Sequence, residues 1–182
     1  MENKHKVGLY VGRFQPFHNG HLSIVEESLA HCDRLILVIG SAQESGTERN
    51  PFDKDLRRRC IEQALGDLNQ FVTVICVNDR AQVRDDGAWG EYMLKEVERQ
   101  TGLRPTINFQ GKEGIRSRWF DGIDIVNLEV DRDVIPVSAT QVRKVILDNN
   151  YIAFTKLVPK RMWITYSTLR SKLIEIKEKS ND

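Results

Sequence analysis

Cysteine is scarce in this chain of 182 residues: Cys32, Cys60 and Cys76 lie far apart and show no CxxC spacing. That argues against a disulfide framework or zinc knuckle and for thiols kept in a reducing compartment. No apolar run approaches the roughly 20 residues that cross a bilayer. The opening MENKHK lacks the apolar segment of a signal peptide, so the expected location is cytoplasmic. A surplus of one charge is also missing, since 27 Lys and Arg face 26 Asp and Glu for a net charge of +1. Nucleic acid and anionic membrane need a basic surface, and neither is expected as a partner. There is no internal repeat, low-complexity tract or linker.

What is present is a repeated alternation. Short apolar, β-branched runs begin at Lys6 (KVGLYV), Arg34 (RLILVIG), Phe71 (FVTVICV), Thr106 (TINFQG) and Ile123 (IDIVNLEV), with helical patterns at about 20–31, 53–66 and 88–101. Strands nearly continuous in apolar residues are buried on both faces, and their alternation with helices predicts a parallel sheet covered by helices. The expected fold is α/β, a Rossmann-like doubly wound sheet with C-terminal helices. It forms a single domain over 1–182, with the core reaching about residue 150 and a helical extension over 151–182. Ligands of such folds sit beyond the carboxyl ends of strands, so the loops of interest follow Val11, Gly40, Val77 and Gly111.

After Pro136, SATQVRKVILDNN predicts a helix capped by Ser138 with Val142, Val145 and Ile146 turned inward. A last helix is expected from about Arg161 to Lys177. Met162, Tyr166, Leu169, Leu173 and Ile176 form one apolar stripe on it, more simply packed on the protein's own sheet than on a second subunit.

The stretch GLYVGRFQPFHNGHLSIVEESL, from Gly8, reads as strand, loop and helix. Its loop is neither a GK[ST] phosphate loop nor GxGxxG. Gly20 offers close backbone approach, the helix start offers free N–H groups and a positive dipole end, and Arg13, His18 and His21 add donors. This predicts an anion pocket whose histidines stabilise charge that grows in a transition state. HxxH could also supply two metal ligands, but no third ligand is evident and only His5 and His31 remain, so no metal site is assigned.

GRFQPFHNGH resembles the signature loop of the HxGH nucleotidyltransferase superfamily, and its Arg13-Phe14-Gln15-Pro16-Phe17 form resembles the archaeal-type nicotinamide-nucleotide adenylyltransferases. GSAQESGTERNPFD (Gly40 to Asp53) is similar to that family's second block, VSATQVR (Val137 to Arg143) resembles the superfamily's SxTxxR motif, and LVPKRM near Leu157 fits its ending. Ala139 stands where glycine is frequent and removes no donor.

The resemblance implies transfer of AMP from Mg-ATP to nicotinamide mononucleotide, giving NAD and pyrophosphate, with Mg2+ arriving on ATP. It implies that His18, His21, Arg13 and Arg143 are the catalytic set. Gly12, Phe14, Gly20, Gly111, Ser138 and Thr140 would bind ATP, with Ser138 and Thr140 on the β- and γ-phosphates and Arg143 clamping them in forked fashion. Ser41, Gln43, Asn50, Phe52 and Trp89 would line the mononucleotide side, Trp89 stacking on the nicotinamide ring. Asp53 is the expected cap of the next helix, the Arg57-Arg58-Arg59 run reads as a solvated helix face, and Trp119 and Phe120 read as core. Relatives of this type are often multimeric, which implies a homo-oligomer. The end of the chain leaves no room for the Nudix hydrolase fused to some relatives, so one activity is expected. Nicotinate mononucleotide or another acceptor stays open, because amide and acid differ by a few hydrogen bonds. A nucleotide sensor on the same fold is the reading from a different class.

Overall fold

A computed structural model describes residues 6–80, 86–111, 119–131 and 135–180. Five strands form one sheet: β1 (Val7–Gly12), β2 (Arg34–Ile39), β3 (Val72–Cys76), β4 (Ile107–Gly111) and β5 (Val126–Val130). All pairings are parallel, in the order β3-β2-β1-β4-β5. Between them run α1 (Asn19–His31), α2 (Lys54–Leu65) and α3 (Asp86–Thr101), and α4 (Ala139–Leu147), α5 (Tyr151–Leu157) and α6 (Tyr166–Lys179) follow. The doubly wound α/β expectation therefore holds.

Alternate strand residues point to opposite faces, and each face has its own apolar cluster. Tyr10, Leu35, Leu37, Ile39 and Phe109 meet side chains of α1, α2, α4 and α6 on one side. Leu9, Ile36, Val38 and Ile75 meet Met93, Leu94 and Val97 of α3 on the other. β5 departs from the expected strand over Ile123–Val130: it starts at Val126 and is the edge strand, with Val126, Asn127 and Glu129 exposed. Only Leu128 and Val130 of this edge strand join the core, so it has no need of continuous apolar residues.

The C-terminal part differs from expectation in two places. The helix after Ser138 ends at Leu147, the chain turns at Asn149 (φ 53°), and Asn150 caps the separate helix α5 by accepting from the Ala153 N–H at 2.9 Å. The last helix starts at Tyr166, because Lys160–Thr165 after Pro159 is wound as a 3₁₀ helix. Met162, Leu169, Leu173 and Ile176 are buried even so, and α6 packs on α4 as part of the chain's own core. Asp53 caps α2 as expected, accepting from the Leu56 N–H at 2.8 Å. Among the described residues no helix is long and apolar enough to cross a membrane.

Candidate active site

A cleft of about 390 Å³ opens at the carboxyl ends of β1 and β4. It is lined by residues 10–15 with His18 and His21, by Gln110 and Gly111, by residues 137–140 with Arg143, and by Arg49. Nine of the residues expected from sequence meet there: Gly12, Arg13, Phe14, His18, His21, Gly111, Ser138, Thr140 and Arg143. Cationic and hydroxyl groups converge from segments more than a hundred residues apart, and among the described residues no carboxylate lines the cleft.

The two histidines are placed by the start of α1. His18 precedes the helix in extended conformation (φ −152°), and its carbonyl accepts from the N–H groups of His21 and Leu22 at 2.9 and 3.1 Å. The imidazoles stack with centroids 3.6 Å apart. Aromatic rings hold His21 from behind: Phe14 meets it edge-on at 4.9 Å and Phe17 lies at 5.4 Å. The first turn of α1 carries no acidic side chain of its own, which leaves the positive end of its dipole available to an anion in the cleft. Gly20 acts differently from expectation. It does not line the cleft; a Cβ there would lie 3.2 Å from the His18 ring and the Ile135 carbonyl, so its missing side chain makes room for the histidine.

Opposite the histidines, Ser138 opens α4 with a capping box: its Oγ accepts from the Gln141 N–H at 3.2 Å, and the Gln141 side chain accepts from the Ser138 N–H. One turn on, Arg143 donates through Nη1 to the Gln15 carbonyl at 2.7 Å and through Nη2 to Thr140 Oγ1 at 3.3 Å. Burial, and then the charge of Arg13, pull the Arg143 guanidinium below its ordinary pKa. Two arginines that repel each other across one cleft are relieved by a polyanion bound between them.

Apart from Arg49, the second block stands beside this cleft rather than in it. Asn50 joins the two through its Oδ1, which accepts from Arg13 Nη1 at 3.3 Å. Gln43 reaches the other way, accepting from the Asp79 N–H at 2.9 Å, and Ser41 sits in the left-handed region (φ 47°). Phe52 turns its ring into the core, 1 % exposed, so its place near the site is set by its backbone. Trp89, on α3, packs on Trp119 with centroids 3.9 Å apart. Gly90 permits that approach, because a Cβ there would meet the Trp119 carbonyl at 1.7 Å. Phe120 is core, as expected.

The expected solvated face at Arg57-Arg58-Arg59 is corrected for Arg57 and Arg58, while Arg59 is exposed. Arg57 is 1 % exposed and donates to the carbonyls of Gly40 (2.9 Å), Arg13 (3.1 Å), Ser41 (3.1 Å) and Glu44 (3.4 Å). It ties the loop after β1 to the loop after β2. Burial lowers its pKa from the usual guanidinium value. Arg58 also turns back, donating to the Val74 carbonyl at 2.8 Å. The sequence carried a signal for Arg57: it falls on the same helical stripe as Cys60, Ile61 and Ala64. Arg49, Gln110 and the Gln15 contacts carried none.

Comparison with known proteins agrees with this geometry. The cytidylyltransferase-like family model matches residues 9–145. A nicotinamide-nucleotide adenylyltransferase of Sulfurisphaera tokodaii is 30% identical over 155 residues, covering 85% of this chain and 87% of that protein. The enzyme of the same name from Thermococcus onnurineus is 33% identical over 157 residues, 85% of this chain and 79% of the relative. That of Saccharolobus solfataricus is 40% identical over 86 residues, 47% of this chain and half the relative's length. A bifunctional NMN adenylyltransferase/ADP ribose pyrophosphatase from Francisella tularensis, complexed with AMP and a manganese ion, superposes with TM-score 0.73 at 22% identity. The match covers 97% of this chain and 53% of that one. Thermotoga maritima TmcAL bound with alpha-thio ATP superposes with TM-score 0.64 at 15% identity, over 90% of this chain and 55% of the other.

Proposed function

The chain belongs to the cytidylyltransferase-like family, among the archaeal-type nicotinamide-nucleotide adenylyltransferases, and from that premise we propose that it transfers AMP from Mg-ATP to nicotinamide mononucleotide. The products are NAD and pyrophosphate. The observation that carries this reading is the cleft itself, which gathers Arg13, Arg49, Arg143, His18, His21 and the hydroxyls of Ser138 and Thr140.

That donor set suits a triphosphate. A phosphate oxygen of the mononucleotide forms a bond to the α-phosphorus of ATP, and the bond from that phosphorus to the bridging oxygen of pyrophosphate breaks. The attacking group is already an anion, so no general base or covalent nucleophile is required, and catalysis comes from positioning and charge stabilisation. His18 and His21 donate to the α-phosphate side, where negative charge develops, aided by the start of α1. Arg13 neutralises the triphosphate. Ser138, Thr140 and Arg143 hold the β- and γ-phosphates that depart, while Gly12, Phe14 and Gly111 line the nucleotide with backbone. The Mg2+ of Mg-ATP would offset phosphate charge. Ser41, Gln43, Asn50 and the Phe52 backbone border the mononucleotide, with Trp89 stacking on its ring.

Pyrophosphate release with Mg-ATP is the test, comparing nicotinamide mononucleotide, nicotinate mononucleotide and phosphopantetheine as acceptors. Preferential turnover of the first with NAD as product supports the reading; no turnover with any of the three sinks it.

A further inference from the structure

Gln15, at the edge of the cleft, is a polar side chain only 3 % exposed. Its amide grips both polar groups of one distant peptide residue: Nε2 donates to the Phe52 carbonyl at 2.9 Å and Oε1 accepts from the Phe52 N–H at 2.9 Å. Its own carbonyl takes the Arg143 Nη1 proton at 2.7 Å. One residue therefore meets all three signature blocks.

The direction of its carbonyl is held from both sides. Upstream, Arg57 fixes the carbonyl of Arg13 at 3.1 Å. Between them Phe14 sits at φ 52°, a conformation that a bulky residue keeps only where its surroundings over-determine it. Downstream, the paired bonds to Phe52 stop the residue 15 peptide from rotating. Arg143 donates through Nη1 to that carbonyl and through Nη2 to Thr140 Oγ1, so the carbonyl, at the shorter distance, sets one of the two points that orient the guanidinium.

We propose that Gln15 is a positioning residue that aims Arg143 into the cleft from the opposite wall, through its clamp on Phe52. Without the clamp, buried Phe52 polar groups lose their partners, the residue 15 carbonyl is released, and Arg143 loses its fixed angle. The proposal deepens the adenylyl-transfer reading and rests on it for the identity of the bound anion.

The experiment is a double-mutant cycle of wild type, Gln15→Met, Arg143→Ala and the double variant, read by kcat for pyrophosphate release and, separately, by calorimetric affinity for ATP. Gln15→Met keeps length and shape but removes both bonds. A misplacement of the order of 1 Å can cost about 100-fold, and kcat is expected to fall by about 10- to 100-fold in Gln15→Met. In the Arg143→Ala background the same change should cost less than about twofold, because nothing is left to aim. Gln15→Leu also removes both bonds without adding charge, is expected to match Gln15→Met, and carries the cycle if Gln15→Met does not fold. Equal losses in both backgrounds, in kcat and in ATP affinity, would overturn the proposal and leave Gln15 as loop support. Failure of wild type to transfer AMP would sink the reaction assigned above, while the cycle on ATP affinity would still decide Gln15.

Discussion

The imidazole of His18 lies 3.6 Å from that of His21, centroid to centroid, with 22° between the ring planes. In the proposed reaction, two rings stacked this closely would act on one anion rather than two. Replacing His21 by Ala removes a donor from the developing charge, and kcat should drop by about 100- to 1,000-fold with the far-UV circular dichroism unchanged. Turnover within a few-fold of wild type would remove the role.

Trp89 tests the other end of the site. Its ring leans on Trp119 at 3.9 Å, away from the triphosphate cleft. Loss of one stacking face costs about 1 kcal/mol, so Trp89→Ala should raise KM for the mononucleotide by roughly five- to tenfold and leave KM for ATP within about twofold. Equal shifts in both would end the stacking assignment.

Arg57 makes a prediction about stability. Substitution by Met leaves four carbonyls short of a donor, that of Gly40 buried and the other three partly so. A cost of about 2–3 kcal/mol corresponds, for a chain of this size, to a drop in Tm of roughly 5–10 °C. Scanning calorimetry checks it, and a change under about 2 °C would show that the loops hold without the guanidinium.

Cys60 should be chemically silent. Burial pushes its thiol from 9.0 up to about 12, so almost no thiolate forms in the folded state near pH 8. Cys76, half-buried on β3, should take up a maleimide first, with Cys60 labelled only on unfolding. The unfolded chain releases this proton near pH 9 and the folded chain near 12, so the thiol's contribution to stability is complete below pH 9 and declines as pH rises through that window. Mass spectrometry of peptides labelled at pH 8 decides; early modification of Cys60 contradicts its burial.

Periodicity made the sheet and α1 to α3 legible because a buried parallel strand shows a near-continuous apolar run and a covering helix shows a stripe. It failed at Asn149 and Asn150, where a left-handed residue and a new cap split the C-terminal segment into α4 and α5 with no glycine or proline between them to announce the break. The nucleotide loops could be found from residue type and spacing. Their support could not: nothing in the order of residues says that Gln15 will grip Phe52 or that Arg143 will cross 128 positions to reach Gln15. Arg57 misled because a run of three arginines looks solvated, while its position on the apolar stripe pointed inward.

The strand order also sets a timetable. Synthesis runs from the N-terminus, so β1 emerges first, yet it lies in the middle of the sheet. Val7 aligns with Arg34 on one side, but on the other its carbonyl waits for the Thr106 N–H, which it receives at 2.9 Å. A growing chain therefore carries a bare, apolar strand edge while β2, α2, β3 and α3 are being made. Such an edge is a template for foreign strands, and the nascent protein is most exposed to mispairing in the interval before β4 arrives.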